Sequence, residues 1–135
     1  MLSFLHIENI AVIESADISF DGGFTVLTGE TGAGKSIVID AISAILGQRA
    51  YRDMIRTGTN KASVRAVFTK VPNFPWFEEN GVEYDEETVI QRDIFLDGKN
   101  VCRVNGTLVT VAILHKLGIQ LINIHGQHDS ASLFD

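Results

Sequence analysis

The residues best suited to chemistry are Gly29, Glu30, Thr31, Gly32, Ala33, Gly34, Lys35 and Ser36, a contiguous run that fits G-x-x-x-x-G-K-[ST]. Triphosphate oxygens need many donors at short range. A loop that turns its backbone N–H groups inward supplies them without the desolvation and entropy cost of many long side chains. Gly32 and Gly34 allow dihedrals and a close approach that a Cβ would obstruct. Lys35 is placed to reach the β- and γ-phosphates, and the Ser36 hydroxyl is suited to Mg²⁺.

The flanks make the match informative. Phe24-Thr25-Val26-Leu27-Thr28 is a short β-prone run, and residues 36–46 are apolar enough for a buried helix closed by Gly47. The order is therefore strand, loop, helix. Two other polar groups stand out. Arg49, Arg52, Arg56 and Lys61, with Asp53 among them and Tyr51 as a stacking surface, form the one concentrated basic stretch. It reads either as a local contact to DNA or as a solvated connector whose arginines pair with nearby acids. The second group, His125-Gly126-Gln127-His128-Asp129, follows Ile119-Gln120-Leu121-Ile122-Asn123-Ile124, which reads as a buried strand; α/β proteins place their chemistry at such strand ends. Two histidines three apart around a glycine argue only weakly for a transition-metal site.

A self-sufficient ATPase of the phosphate-loop kind also needs an acidic residue at the end of a second apolar strand, to hold Mg²⁺ through water. None is present. Asp40 follows Ile37-Val38-Ile39, but it falls in the helix after the loop and cannot point back at the metal. The chain reads as half of a site.

The elements that must position these groups follow from the patterning. Residues 4–7 and 16–20 read as strands, the second with Ala16, Ile18 and Phe20 on one face, and Asp21-Gly22-Gly23 as a turn into the strand before the loop. Ala62, Val64, Ala66 and Phe68 share one face of a further strand. Pro72 and Pro75 end regular pairing, with Trp76 and Phe77 pinning that segment to the core. Residues 88–95 and 100–105 flank Asp97-Gly98-Lys99 as a β-hairpin, and Asn105-Gly106 marks another turn. Thr110 caps a short helix, 111–117, that Gly118 stops. Glu78, Glu79, Glu83, Asp85, Glu86 and Glu87 read as a solvated acidic turn, and His6 as a partly exposed strand residue without a role.

With 135 residues and 45% hydrophobic content, one substantial core and a single domain are expected. The net charge of −6 opposes diffuse attraction to nucleic acid or an anionic membrane. The lone Cys102 excludes an internal disulfide and reads as a small buried side chain in a reducing compartment. The N-terminus shows no basic leader and no membrane-length apolar stretch, so a cytoplasmic protein is expected.

Leu5-His6-Ile7-Glu8-Asn9-Ile10-Ala11-Val12-Ile13-Glu14, the phosphate-loop run from Leu27 to Ser36, Leu46-Gly47-Gln48-Arg49-Ala50 and Ile124-His125-Gly126-Gln127-His128-Asp129 together resemble the N-terminal head lobe of the RecN family, bacterial SMC-like proteins of double-strand break repair. The resemblance covers essentially the whole chain. It implies a P-loop NTPase fold of the ABC/SMC-type head, α/β with a mixed sheet and an antiparallel β-subdomain. Residues 1–135 would be the N-terminal lobe of a larger protein, acting at the bacterial nucleoid.

Gly29 to Ser36 would then bind ATP and Mg²⁺, with Lys35 on the phosphates. Gln127 would touch the metal or the attacking water, and Arg49, Arg52, Arg56 and Lys61 would fall where related heads meet DNA. The implied partners are the C-terminal lobe of the same protein and a second head in a homodimer. The chain departs from the family in length, lacking the coiled coil, signature motif and Walker B acid, so the expectation for it alone is ATP binding without turnover. A Rad50- or RecF-type lobe, a small P-loop nucleotide kinase and a non-enzymatic module with a vestigial loop are the competing readings. The hairpin-rich middle opposes the kinase, and intact Lys35 and Ser36 oppose the vestigial module.

Overall fold

The computed structural model describes residues 1–20 and 32–125. Strands β1 (Leu2–Ile10) and β2 (Ile13–Ser19) form a hairpin, and helix α1 (Gly32–Ile45) follows. After a 3₁₀ turn, Arg52–Met54, come β3 (Lys61–Phe68), the short helix α2 (Pro75–Glu79), β4 (Thr88–Phe95), β5 (Asn100–Val104), β6 (Thr107–Val109) and helix α3 (Val111–His125). Among the described residues the strands form one six-stranded sheet in the order β2-β1-β3-β4-β5-β6, antiparallel at every pairing. This is the expected antiparallel β-subdomain. The expected strand at 24–28 and the turn before it lie outside the described residues.

Alternation decides which face of the sheet is dry. Leu5 and Ile7 on β1, Ala62, Val64, Ala66 and Phe68 on β3, Ile90 and Ile94 on β4, and Cys102 and Val104 on β5 are all buried. α1 covers them with Ile37, Val38, Ala41, Ile42, Ala44 and Ile45, and α3 adds Leu114, Leu117 and Leu121. Burying each of the Val, Leu, Ile and Phe side chains contributes about 1.5–3 kcal/mol. That burial holds α1 helical despite the β-branched run Ile37-Val38-Ile39 in its second turn, whose local propensity is poor.

Several local expectations hold. Pro75 opens α2, and its Trp76 and Phe77 are buried, with Trp76 Nε1 donating to the Ile113 carbonyl of α3 at 2.9 Å. The Thr110 hydroxyl accepts from the Ile113 amide at 3.1 Å. The acidic residues of 78–87 are exposed.

Two expectations fail together: Gly118 does not stop a helix, and 119–124 is not a strand. α3 runs unbroken from Val111 to His125, with Leu114, Leu117 and Leu121 buried at helical spacing. Gly118 is not among the glycines with positive φ, as a helix-stopping glycine would be. It serves packing instead, since a Cβ there would lie 2.1 Å from the Leu46 carbonyl oxygen. The apolar run misled because a short buried run has the same composition in a strand as in a helix.

Candidate functional site

The described part of the phosphate-binding motif is the start of α1. The helix begins at Gly32, so the second half of the motif is its first turn, and no acidic residue stands there. The first amides of a 14-residue helix have no intrahelical acceptor, and the aligned peptide dipoles place positive potential on them. A phosphate group fits such an end. Ser36 is exposed, its hydroxyl not spent on the core, and Asp40, also exposed, lies one turn further along α1. Gly29, Glu30 and Thr31 of the loop, and Gln127, His128 and Asp129, lie outside the described residues.

The far end of α1 is built with more care than the sequence suggested. Gly47, at φ 83°, ends the helix, with its amide donating to the Ala44 carbonyl at 3.1 Å and the Gln48 amide to the Ser43 carbonyl at 3.0 Å. These two bonds define a Schellman cap. Over it lies Arg92 of β4, 2% exposed, whose Nη1 donates to the Ala44 carbonyl at 2.8 Å and the Gln48 carbonyl at 2.6 Å, while Nε donates to Asn100 Oδ1 at 3.0 Å. A cation belongs at this negative end of the helix dipole. Burial pushes the Arg92 guanidinium below its ordinary pKa, with no carboxylate among the described residues pairing it.

Opposite Arg92 in the β4–β5 register stands Cys102, buried as expected, its thiol pushed up by that burial and so held from reactivity. Sequence reasoning missed Arg92. The available signal was its position between Ile90 and Ile94, on the inward face of an alternating strand.

The basic stretch divides. Backbone bonds from Ala11 to the Met54 carbonyl and from Arg56 to the Asn9 carbonyl, both 2.8 Å, together with the Ile10 to Ile55 bridge, fasten the segment to the end of β1. Arg56, half-buried, donates through Nη1 to the Val12 carbonyl at 2.8 Å. Arg49 lies over the ring of exposed Tyr51, 5.1 Å from its centre, and Arg52 is exposed. Lys61 begins β3 and lies over the Phe95 ring at 5.8 Å. Among the described residues none of the four pairs with an acid.

The ion pairs among the described residues belong to His6. Its Nδ1 meets Asp17 Oδ1 at 2.5 Å across the β1–β2 register and its Nε2 meets Glu8 Oε1 at 3.2 Å. The hydrogen bond to Asp17 is the largest cause raising the His6 pKa above its ordinary value. Burial opposes that rise, and Glu8 adds to it.

An antiparallel sheet beside a helix that opens inside a phosphate-binding motif describes a nucleotide-binding lobe of the P-loop class. The model of the AAA domain family matches residues 5–124, and the chain belongs to that family. It is also similar to the RecN proteins, as the motifs implied. It is 48% identical over 139 residues to the DNA repair protein RecN of Bacillus subtilis (strain 168), a match covering 100% of this chain and 24% of the relative. It is 42% identical over 131 residues to RecN of Vibrio cholerae, covering 95% of this chain and 24% of that one. The chain thus spans about a quarter of the length of these relatives.

Among solved structures, one from work on ATP-driven dimerization and DNA stimulated activation of SMC ATPases superposes with a TM-score of 0.69 at 25% identity, covering 85% of this chain and 75% of that one. The SMC head domain from Thermotoga maritima gives 0.60 at 24% identity, over 86% and 41%, and shows the fold alone. No helix among the described residues is long and apolar enough to cross a membrane.

Proposed function

We propose that this chain is the N-terminal, ATP-binding lobe of an SMC-like ATPase that works in DNA repair. The observation that carries the reading is the start of a 14-residue helix inside Gly29 to Ser36, free of acidic residues in its first turn and continued by exposed Ser36. Backbone amides of that turn hold the phosphates, Lys35 supplies the cation facing the β- and γ-groups, and Ser36 offers a hydroxyl to Mg²⁺. Bound Mg²⁺ supplies charge neutralisation at the phosphates. Gln127 orients a water or a metal ligand. No acid of the chain has the sequence setting of a Walker B residue, so the C-terminal lobe of the same protein and a second head complete the site, and hydrolysis follows head dimerisation. The names of the relatives and the SMC neighbours support this assignment.

Calorimetric titration with ATP·Mg²⁺ tests it. The chain binds, Lys35→Ala loses most of the affinity, and neither releases phosphate alone. Equal affinities for the two would remove the assignment, and steady turnover abolished by Lys35→Ala would remove the half-site.

DNA contact falls to Arg49 and Arg52, the exposed arginines beside Tyr51, with Lys61 contributing charge; Arg56 contributes less, because its guanidinium already holds the β1–β2 turn. Charge reversal of Arg49 and Arg52 in the complete protein weakens DNA binding and flattens its salt dependence while ATP binding stays unchanged. An unchanged salt slope would return the segment to a connector.

A further inference from the structure

A cleft of about 460 Å³ opens between the C-terminal end of α1 and the first turn of α3. Arg49, Arg92, Asn100, Val111, Ala112 and His115 line it, and no carboxylate stands among its described lining residues. Some of its polar groups keep donors unspent. Arg92, 2% exposed, uses Nε and Nη1 on protein acceptors, which leaves Nη2 without one among the described residues. Arg49 is exposed and has no acid partner among the described residues. At the start of α3, Thr110 accepts the amides of Ile113 and Leu114 through its hydroxyl and carbonyl, so those of Val111 and Ala112 remain at the positive end of a 15-residue helix. One turn further in, His115 Nδ1 is buried with no hydrogen-bond partner among the described residues.

A buried polar nitrogen without a partner costs roughly 1–3 kcal/mol, and native structures keep few of them unless something else supplies the partner. A cation is opposed by two guanidinium groups, and an apolar ligand leaves Nη2 and the imidazole unpaired. An oxyanion answers the free guanidinium N–H groups and the helix amides at once. The negative end of the α1 dipole does not oppose it, because Arg92 covers the Ala44 and Gln48 carbonyls.

We propose that this cleft is a second phosphate-binding site, held by Arg49, Arg92, the Val111 and Ala112 amides and His115. It goes beyond the nucleotide reading, since the 14 residues of α1 separate it from the phosphate loop by about 20 Å. The phosphate group comes from a free phosphate or from the backbone of a nucleic-acid strand, and the two sources are separable.

The test is an NMR titration of the ¹⁵N-labelled chain carrying Lys35→Ala, in which the loop no longer competes for the probe. One arm uses inorganic phosphate and the other a short mixed-sequence single-stranded oligonucleotide. Saturable shifts are expected at the Val111 and Ala112 amides and the Arg92 Nε–H, with Arg49→Glu raising the apparent Kd by about tenfold or more. Arg49 is exposed, so its replacement leaves the fold intact for comparison. Response to both probes assigns the site to strand phosphates, and response to inorganic phosphate alone assigns it to a free phosphate group. No saturable shift at these three groups with either probe, or shifts indifferent to Arg49→Glu, overturns the proposal.

Discussion

Gly118→Ala separates two opposite accounts of one residue. On an exposed helix, replacing glycine by alanine stabilises by about 1 kcal/mol through backbone entropy. At 118 the added Cβ would lie 2.1 Å from the Leu46 carbonyl oxygen and 2.8 Å from its carbon, where 3.0 Å is already closer than real Cβ contacts come. Both offending atoms are backbone, so no rotamer change relieves them. α3 and the end of α1 must separate by about 1 Å, which overpacking studies place at about 1–3 kcal/mol. Parting the helices also disturbs Gly47, whose own missing Cβ would sit 2.4 Å from His115 Cα. Because both contacts are far below van der Waals distance and neither can rotate away, the clash falls in the upper part of that range and outweighs the propensity gain, for a net loss of up to about 2 kcal/mol. Urea unfolding followed by Trp76 fluorescence reads this directly, because the buried indole donates to the Ile113 carbonyl of α3. A variant as stable as the parent, or more stable, would refute the close crossing and return Gly118 to a tolerated helical glycine.

Arg92→Met removes three hydrogen bonds and leaves the Ala44 and Gln48 carbonyls and the Asn100 side chain short of donors, while relieving the guanidinium of its burial cost; the expected loss is about 2–4 kcal/mol by denaturant titration, and a loss under about 1 kcal/mol would mean that water replaces the cap. For His6 the folded pKa is raised, so its stabilisation is fully present below the unfolded value near 6.5 and is lost as pH rises through the folded value. Glu8 and Asp17 face it as acids and Arg65 stands opposite on β3, so His6→Gln should narrow the stability difference between acidic and alkaline sides of that window. Because Asp17 is 67% exposed, solvent screening keeps the effect below about 1 kcal/mol, and parallel pH profiles for parent and variant would exclude it.

The sheet was legible in the sequence because strand alternation is a local signal with a global consequence. Ala62, Val64, Ala66 and Phe68 announce one buried face, and the Asp97-Gly98-Lys99 turn announces the hairpin that carries Arg92 and Asn100. The phosphate-binding motif is read from its spelling, which follows what the ligand needs from the backbone, and its described half forms the first turn of α1. What the sequence did not disclose depends on contacts between distant residues. Gly118 reads as a stop until Leu46 is seen beside it, and Arg92 reads as one more strand residue until the end of α1 arrives beneath it. The basic stretch gave its composition but not its division: Arg56 is committed to the Val12 carbonyl, while Arg49 and Arg52 stay exposed.

These hidden contacts converge on one place, and leverage explains why that matters for the other end of α1. A helix of 14 residues is about 20 Å long, so a tilt of about 5° at its C-terminal end carries its first turn through nearly 2 Å. A misplacement of about 1 Å in a reacting constellation can cost on the order of a hundredfold in rate. Helix amides that grip phosphates must therefore be aimed from behind, by contacts that hold the helix axis. Arg92 ties the C-terminal carbonyls of α1 to the β4–β5 hairpin, and Gly47 and Gly118 let α3 lie against the same turn at backbone distance. Each device constrains α1 through a different neighbour, one through the sheet and one through the second helix. The motif specifies what touches the phosphates, and this far anchor specifies where that touch is made.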